Sequence, residues 1–161
     1  MIQYDVKSLI AKESGTPINY RVRLKGITVT SATVSARNIA IADPTVVSSG
    51  TWSRTGTLVT VTIPDNGLTD GDRVFLDVST GTTMRDGVYE ASNVTQNTFT
   101  VTSATSGNAS GTVDMYTSLY LELDTYNTIG LPVKIPGDGI LCENGMFVGL
   151  GSSVTATVFY G

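Results

Sequence analysis

The chain has 161 residues, 40% hydrophobic and only 15% charged, with a formal net charge of -4 and no histidine. That length and apolar content suit one ordinary domain or two very small ones. The charged fraction sits below the roughly 25% of an average globular chain. The polar surface must therefore be Thr, Ser, Asn and Gly, residues of strands and tight turns, which predicts an all-β protein. No basic run or basic-aromatic interleave points to nucleic acid. No apolar run reaches the roughly 20 residues that span a bilayer as a helix.

The first element is ambiguous. Val6, Leu9 and Ile10 have helical spacing over 5–14, with Asp5 as N-cap and Gly15 as stop. Ile2, Tyr4 and Val6 also alternate, so a leading strand or arm competes with the helix. The stretch MIQYDVKSLIAKESG has no long apolar core and no cleavage site of the kind that directs secretion. Next, YRVRLKGITVT reads as a strand, with Tyr20, Val22 and Leu24 on one face and Arg21, Arg23 and Lys25 on the other.

From Thr51 to Val113 the chain reads as a self-contained unit. Strands are predicted at 58–63, 73–78, 87–94, 98–102 and 111–116, separated by the turn signals PDNG, TDGD, RDG, TQN and SGNASG. Five short strands in close succession suggest a small barrel or sandwich. ADPTVVSSG before the unit reads as linker, and SGNASG as the tip of its last hairpin. Trp52 is expected to cover one end of the unit's core.

Beyond it, SLYLELDT mirrors the earlier basic strand: Leu119, Leu121 and Leu123 on one face, Tyr120, Glu122 and Asp124 on the other. The two strands would pair side by side, opposite charges choosing partner and register. Then short apolar runs alternate with Gly and Pro, and Pro132 and Pro136 confine that stretch to edges and bends. Ile140, Cys142 and Leu150 are expected to complete a core. In the closing stretch Val154, Ala156 and Val158 alternate with Thr155, Thr157 and Phe159, a half-buried strand sewn into a sheet or a neighbouring subunit. The expected architecture is a split, jelly-roll-like β-sandwich of residues 1–47 and 116–161, with a β-barrel or sandwich module, 48–115, inserted into it and projecting outward.

Little in the sequence points to chemistry. Lone Cys142 reads as a small buried hydrophobe. Asp65, Asp70 and Asp72 in PDNGLTDGD, with Asp77 and Asp86 beyond, are the densest acidic stretch. Calcium needs six to eight oxygen ligands, and the spacing is not that of an EF-hand, so turn chemistry outweighs a metal site. Glu90, Glu122 and Glu143 have no spacing that supports paired-carboxylate catalysis. The sequons at Asn93 and Asn108 read as chance matches in a Thr- and Ser-rich chain. Trp52 and Arg54 in TWSR are the one possible ligand contact, a carbohydrate-stacking pair, against the commoner role of a Trp in a core. Phe159 and Tyr160 either close the core of one subunit or form an intersubunit contact on an edge strand, the second being favoured.

The ending IPGDGILCENGMFVGLGSSVTATVFYG, with LKGI near the start and LYLELDT between, resembles a group of small virion proteins of tailed phages, notably marine ones, of the head decoration or cement type. The segment TWSRTGTLVTVT, with NGLTDGDRVFLDVSTG and DGVYEASNVTQNTFTVT after it, is similar to a β-module that recurs in phage tail, fibre and head proteins. The resemblance leaves residues 1–18 uncovered. It implies a virion structural protein with no cofactor and no catalytic residue. Made in the host cytoplasm, it would sit on the outer capsid surface as a homotrimer and bridge major capsid protein subunits. The alternative is a tail, neck or fibre-adaptor protein. A carbohydrate-binding or hydrolytic virion module is a third reading. Residues proposed for the oligomer or capsid interface are Ile2, Tyr4, Arg21, Arg23, Tyr120, Glu122, Phe159 and Tyr160. The arm 1–16 is expected to reach a neighbour.

Overall fold

A computed structural model of the chain describes residues 6–31, 38–80, 84–125 and 130–161, so the arm positions Ile2 and Tyr4 lie outside the described residues. The described residues form strands and no helix. In order they are β1 (Lys7–Ala11), β2 (Gly15–Ile18), β3 (Val22–Ser31), β4 (Asn38–Ala42), β5 (Val47–Thr55), β6 (Leu58–Thr62), β7 (Arg73–Val78) and β8 (Gly87–Glu90). There follow β9 (Thr98–Thr102), β10 (Ala109–Tyr116), β11 (Leu119–Asp124), β12 (Leu131–Lys134), β13 (Ile140–Cys142), β14 (Met146–Leu150) and β15 (Val154–Tyr160). The chain divides into two compact units, Met1–Thr45 with Tyr120–Gly161, and Val46–Leu119.

The first unit is a two-sheet sandwich. One sheet runs β1-β15-β3-β12, with β13 also paired to β3; the other runs β11-β4-β14-β2. Alternate residues of both supply one core: Val22, Leu24, Ile27, Val29, Ala156 and Val158 from the first, Ile18, Ile39, Ile41, Met146, Val148 and Leu150 from the second. Cys142 and Leu150 are buried in it, and Ile140 packs against it half-exposed.

Three expectations change here. The helical reading of 5–14 gives way to strand β1, which pairs with β15 from Lys7↔Tyr160 to Ala11↔Ala156. Val6 and Ile10, whose spacing suggested a helix face, are 55% and 62% exposed and face no core. The basic and acidic strands do not pair. Both sides of β3 are occupied, by β15 on one and by β12 and β13 on the other, while β11 lies beside β4 in the opposing sheet. Backbone ladders and core faces decide such partners; an exposed ion pair contributes at most about 1 kcal/mol. The terminal strand, finally, is no edge. It is paired with β1 and β3 along its length, and Arg23 and Gly161 exchange backbone hydrogen bonds at 2.9 and 3.0 Å.

The second unit is a six-stranded antiparallel sheet in the order β8-β7-β10-β5-β6-β9. It curls until its ends meet: Ser92, just past β8, and Thr100 on β9 exchange backbone hydrogen bonds of 2.9 and 2.8 Å. The result is a nearly closed barrel filled by Trp52, Val59, Val61, Val74, Leu76, Phe99, Val101, Val113 and Met115 among others.

The stretch read as linker contributes the first part of β5, a central strand between β10 and β6. Its inward positions are Gly50, Trp52 and Arg54, so the aliphatic alternation that marks a strand is missing. SGNASG is not a hairpin tip either, since Ala109–Gly111 belong to β10 and β9 and β10 are not neighbours. Gly50 is a close-approach glycine: a Cβ there would sit 2.1 Å from the Thr62 carbonyl oxygen.

Candidate functional site

The two residues proposed to touch a ligand are interior. Trp52 is 2% exposed and donates its indole N–H to the Thr80 carbonyl at 3.2 Å. Its register partner is Gly111, where a Cβ would meet the indole nitrogen at 2.9 Å and the Thr80 oxygen at 2.0 Å. The strand thus needs glycine to let the indole lie across it. Arg54, 4% exposed, donates from Nη1 to the Ser103 hydroxyl and to the carbonyl and hydroxyl of Thr105, at 2.9–3.1 Å. The pair fastens the barrel and the 103–107 segment; neither offers a face to a sugar, which overturns the stacking reading.

The acidic turn carboxylates are taken up by nearby backbone and side-chain amides. Asp70 accepts from the Val94 N–H at 2.8 Å and Asp72 from the Thr69 N–H at 2.7 Å. Asp65, held at a φ of 49°, accepts from the Gln96 side chain. Asn66 bonds the Thr95 and Gln96 carbonyls and the Leu68 N–H. Together with Leu68 and Val94 they line an open groove of about 590 Å³ of mixed polar and apolar surface, between 65–70 and 94–96. Among the described residues no group of three His, Cys, Asp or Glu is placed to hold a metal ion.

In the sandwich the proposed interface residues separate. Arg21 forms an exposed ion pair with Glu143 at 2.9 Å, in place of the expected acidic strand. Arg23 lies on β3 and is held at its backbone by Gly161, whereas Glu122 lies in the other sheet. Phe159 stands on the outer face of β15, opposite the inward Val158, with Gly26 as register partner. It lines an open, mostly apolar groove of about 480 Å³ with Val6, Ile27, Pro132 and the stems of Lys25 and Lys134. The groove is apolar over most of its lining, with Lys25 and Lys134 contributing to it.

Tyr120 belongs to a constellation that the sequence did not reveal. Asp43, 7% exposed at the end of β4, accepts four hydrogen bonds. Oδ1 takes the Thr45 N–H at 2.8 Å and the Thr45 hydroxyl at 2.6 Å. Oδ2 takes the Tyr120 hydroxyl at 3.0 Å and the Asn144 amide at 2.9 Å. Burial pushes the Asp43 carboxyl up, but the bonds from Thr45, Asn144 and Tyr120 outweigh it and hold it down at about 2. Burial and Asp43 push Tyr120 up to about 12. The knot joins the point where the chain leaves the sandwich, the point where it returns, and the turn before β14. The available signal was local: Asp43 two residues before Thr45 is an Asx-turn pattern, hidden inside ADPT.

Cys142, fully buried, has its thiol pushed up to about 11, chiefly by burial, and is not poised as a nucleophile. Comparison with protein-family models, with curated proteins and with solved structures finds no match to this chain.

Proposed function

We propose that this chain is a structural protein of a tailed-phage virion, a decoration or cement protein that stabilises the head by bridging major capsid protein subunits. It acts without catalysis or cofactor, as a homotrimer on the outer capsid surface. The observation that carries the reading is the Asp43 knot, which ties the exit and return of the inserted barrel to the sandwich edge turn through Thr45, Tyr120 and Asn144. A body that holds a guest module at fixed ends, and whose polar groups serve that purpose, suits a scaffold better than an active site.

In this reading the sandwich grips the capsid, with the Phe159 groove as contact surface. Added burial of about 1,600 Å² at each contact, repeated over a lattice, resists internal pressure through avidity even where each contact is modest. Copy number and position test it. Hundreds of copies per particle by quantitative densitometry, with density over the head in an electron cryo-microscopy map, are expected. A few copies confined to the tail or neck would assign the chain to the fibre-adaptor class instead. Light scattering on the recombinant protein reads the trimer, and a monomer at micromolar concentration counts against it.

A further inference from the structure

The barrel carries an arrangement that its fold does not explain. Asp77 on β7 and Asp114 on β10 are direct register partners, both half-buried. Cross-strand partners lie about 4.5–5.5 Å apart at Cβ, and like charges there repel. A third carboxylate, Asp86, lies at the entry to β8 and accepts the Val78 N–H at 2.8 Å. On the far side Asp114 accepts the hydroxyl of Ser49 on β5.

Among the described residues, the groups that act on the Asp77 carboxyl all disfavour its charge. Burial first, then Asp86 and Asp114, push its carboxyl up to about 6. Asp86 is raised too, by burial, against the opposing pull of the Val78 N–H. Tyr116, on β10 beside the row, is pushed up to about 12 by burial and by Asp77 and Asp114. Tyr89 on β8 is pushed up to about 12 by burial and Asp86, against Arg85 and Arg54. Arg73 and Glu90 face each other at the other end of the β7–β8 ladder.

The row spans the β7–β10 ladder, which Ser79 and Thr80 extend past Val78 by hydrogen bonds to Thr112. β7 meets β10 over four register pairs, against eight between β10 and β5. β8 is attached to the barrel through β7 and, past its end, through the Ser92↔Thr100 bridge and the side-chain bonds of Thr100 to the Ser92 carbonyl and the Asn93 amide. We propose that the Asp77–Asp86–Asp114 row is an acid-sensitive seam: ionised, its repulsion loosens the β7–β8 pair from β10, and uptake of one proton by Asp77 closes it.

The direction follows from linkage. Below the range where aspartates of an open chain titrate, the row is neutral in both states and costs nothing. As pH rises the open form loses its proton first, and the closed form falls behind until Asp77 ionises near 6. Protection is therefore greatest below about pH 4, has lost roughly half of the effect by pH 5, and is lowest above 7. The difference corresponds to a factor of up to about 100 in the opening equilibrium.

Hydrogen–deuterium exchange on the full-length protein at pH 5 and pH 7.5, corrected for intrinsic rates, reads this. β7 and β8 amides are expected to lose about 10-fold protection at pH 7.5 relative to pH 5 while β5 and β6 lose little. Asp77→Asn should restore β7–β8 protection at pH 7.5 and remove its pH dependence. Equal protection of β7 and β8 at the two pH values, a loss shared evenly by every strand, or a full pH effect retained in Asp77→Asn would each overturn the proposal. Should that variant not fold, carboxyl-carbon NMR on the wild type decides: titration of Asp77 near 6 supports the seam, and near 4 refutes it.

Discussion

Asp43→Ala should destabilise the sandwich by about 3 kcal/mol. The figure has two sources. The carboxyl is held near 2, against 3.8 in an unfolded chain, so its surroundings favour the charged form over the neutral one by about 2.5 kcal/mol. Removing the carboxylate also leaves the Tyr120 hydroxyl, the Thr45 N–H and the Asn144 amide to find other partners, at about 1–3 kcal/mol for each that stays buried. Water can reach some of these groups, which keeps the total nearer the lower source than their sum. The same carboxyl sets an acid limit. A group depressed in the fold contributes its stability above the unfolded value and loses it as pH falls through the folded one, so wild type should weaken by about 2 kcal/mol between pH 5 and pH 2. Asp43→Asn should weaken it already at pH 7, because one oxygen becomes a donor facing two donors. Exchange protection of β4, β11 and β14 measures the sandwich, while Trp52, the only tryptophan, reports the barrel by fluorescence. If Asp43→Ala changed protection of those strands by less than about 0.5 kcal/mol, the knot would be ornamental and the reasoning wrong.

Other outcomes are equally definite. Gly111→Ala should cost the barrel about 3 kcal/mol or prevent its folding, since the new Cβ meets the Thr80 carbonyl and the Trp52 indole; urea unfolding followed at Trp52 measures it. Cys142 should resist an aromatic disulfide reagent at pH 8 in the native protein and react fully in denaturant, and rapid native labelling would contradict its burial. Arg21→Ala should leave the unfolding midpoint unchanged, because its pair with Glu143 is well exposed, and a clear drop would give that pair a role denied to it here. The isolated polypeptide 46–119 should fold cooperatively with a buried Trp52; a fully red-shifted emission maximum would refute it.

What the sequence disclosed depended on whether the information was local. RVFLDV and TFTVT carry aliphatic residues on one face only, and both are strands over the residues expected. The closing VTATVFY is a strand for the same reason. β5 was hidden because its inward positions are Gly50, Trp52 and Arg54, chosen for close approach, one large indole and a buried polar tether instead of aliphatic bulk. Strand partnership was not legible at all. Charge complementarity between the strands of Arg23 and Glu122 is a weak term, and it lost to a topology in which β3 is flanked on both sides by other strands. The same holds for the candidate sites. Trp52 and Arg54 look like a ligand pair in a string of letters, and only the barrel shows that both point inward. Asp43 and Asn144 are far apart in the chain, and no periodicity links them.

The insertion itself has a simple physical basis. A flexible loop closed by two strand ends loses entropy only slowly with length, and a folded guest removes most of that cost if its own ends lie together. Each unit supplies such a clamp by itself. In the barrel, β5 begins and β10 finishes at Val47↔Tyr116, the last pair of an eight-pair ladder. In the sandwich, Asp43 holds Thr45 and Tyr120 on one carboxylate. Each unit therefore brings its own two ends together without relying on the other. The clamps also differ in their response to acid: the sandwich clamp fails as pH drops through the range of Asp43, whereas the barrel row at Asp77 strengthens before that point. A pH near 4, where Asp43 is still ionised and the penalty at Asp77 is still small, is thus where both units hold best at once.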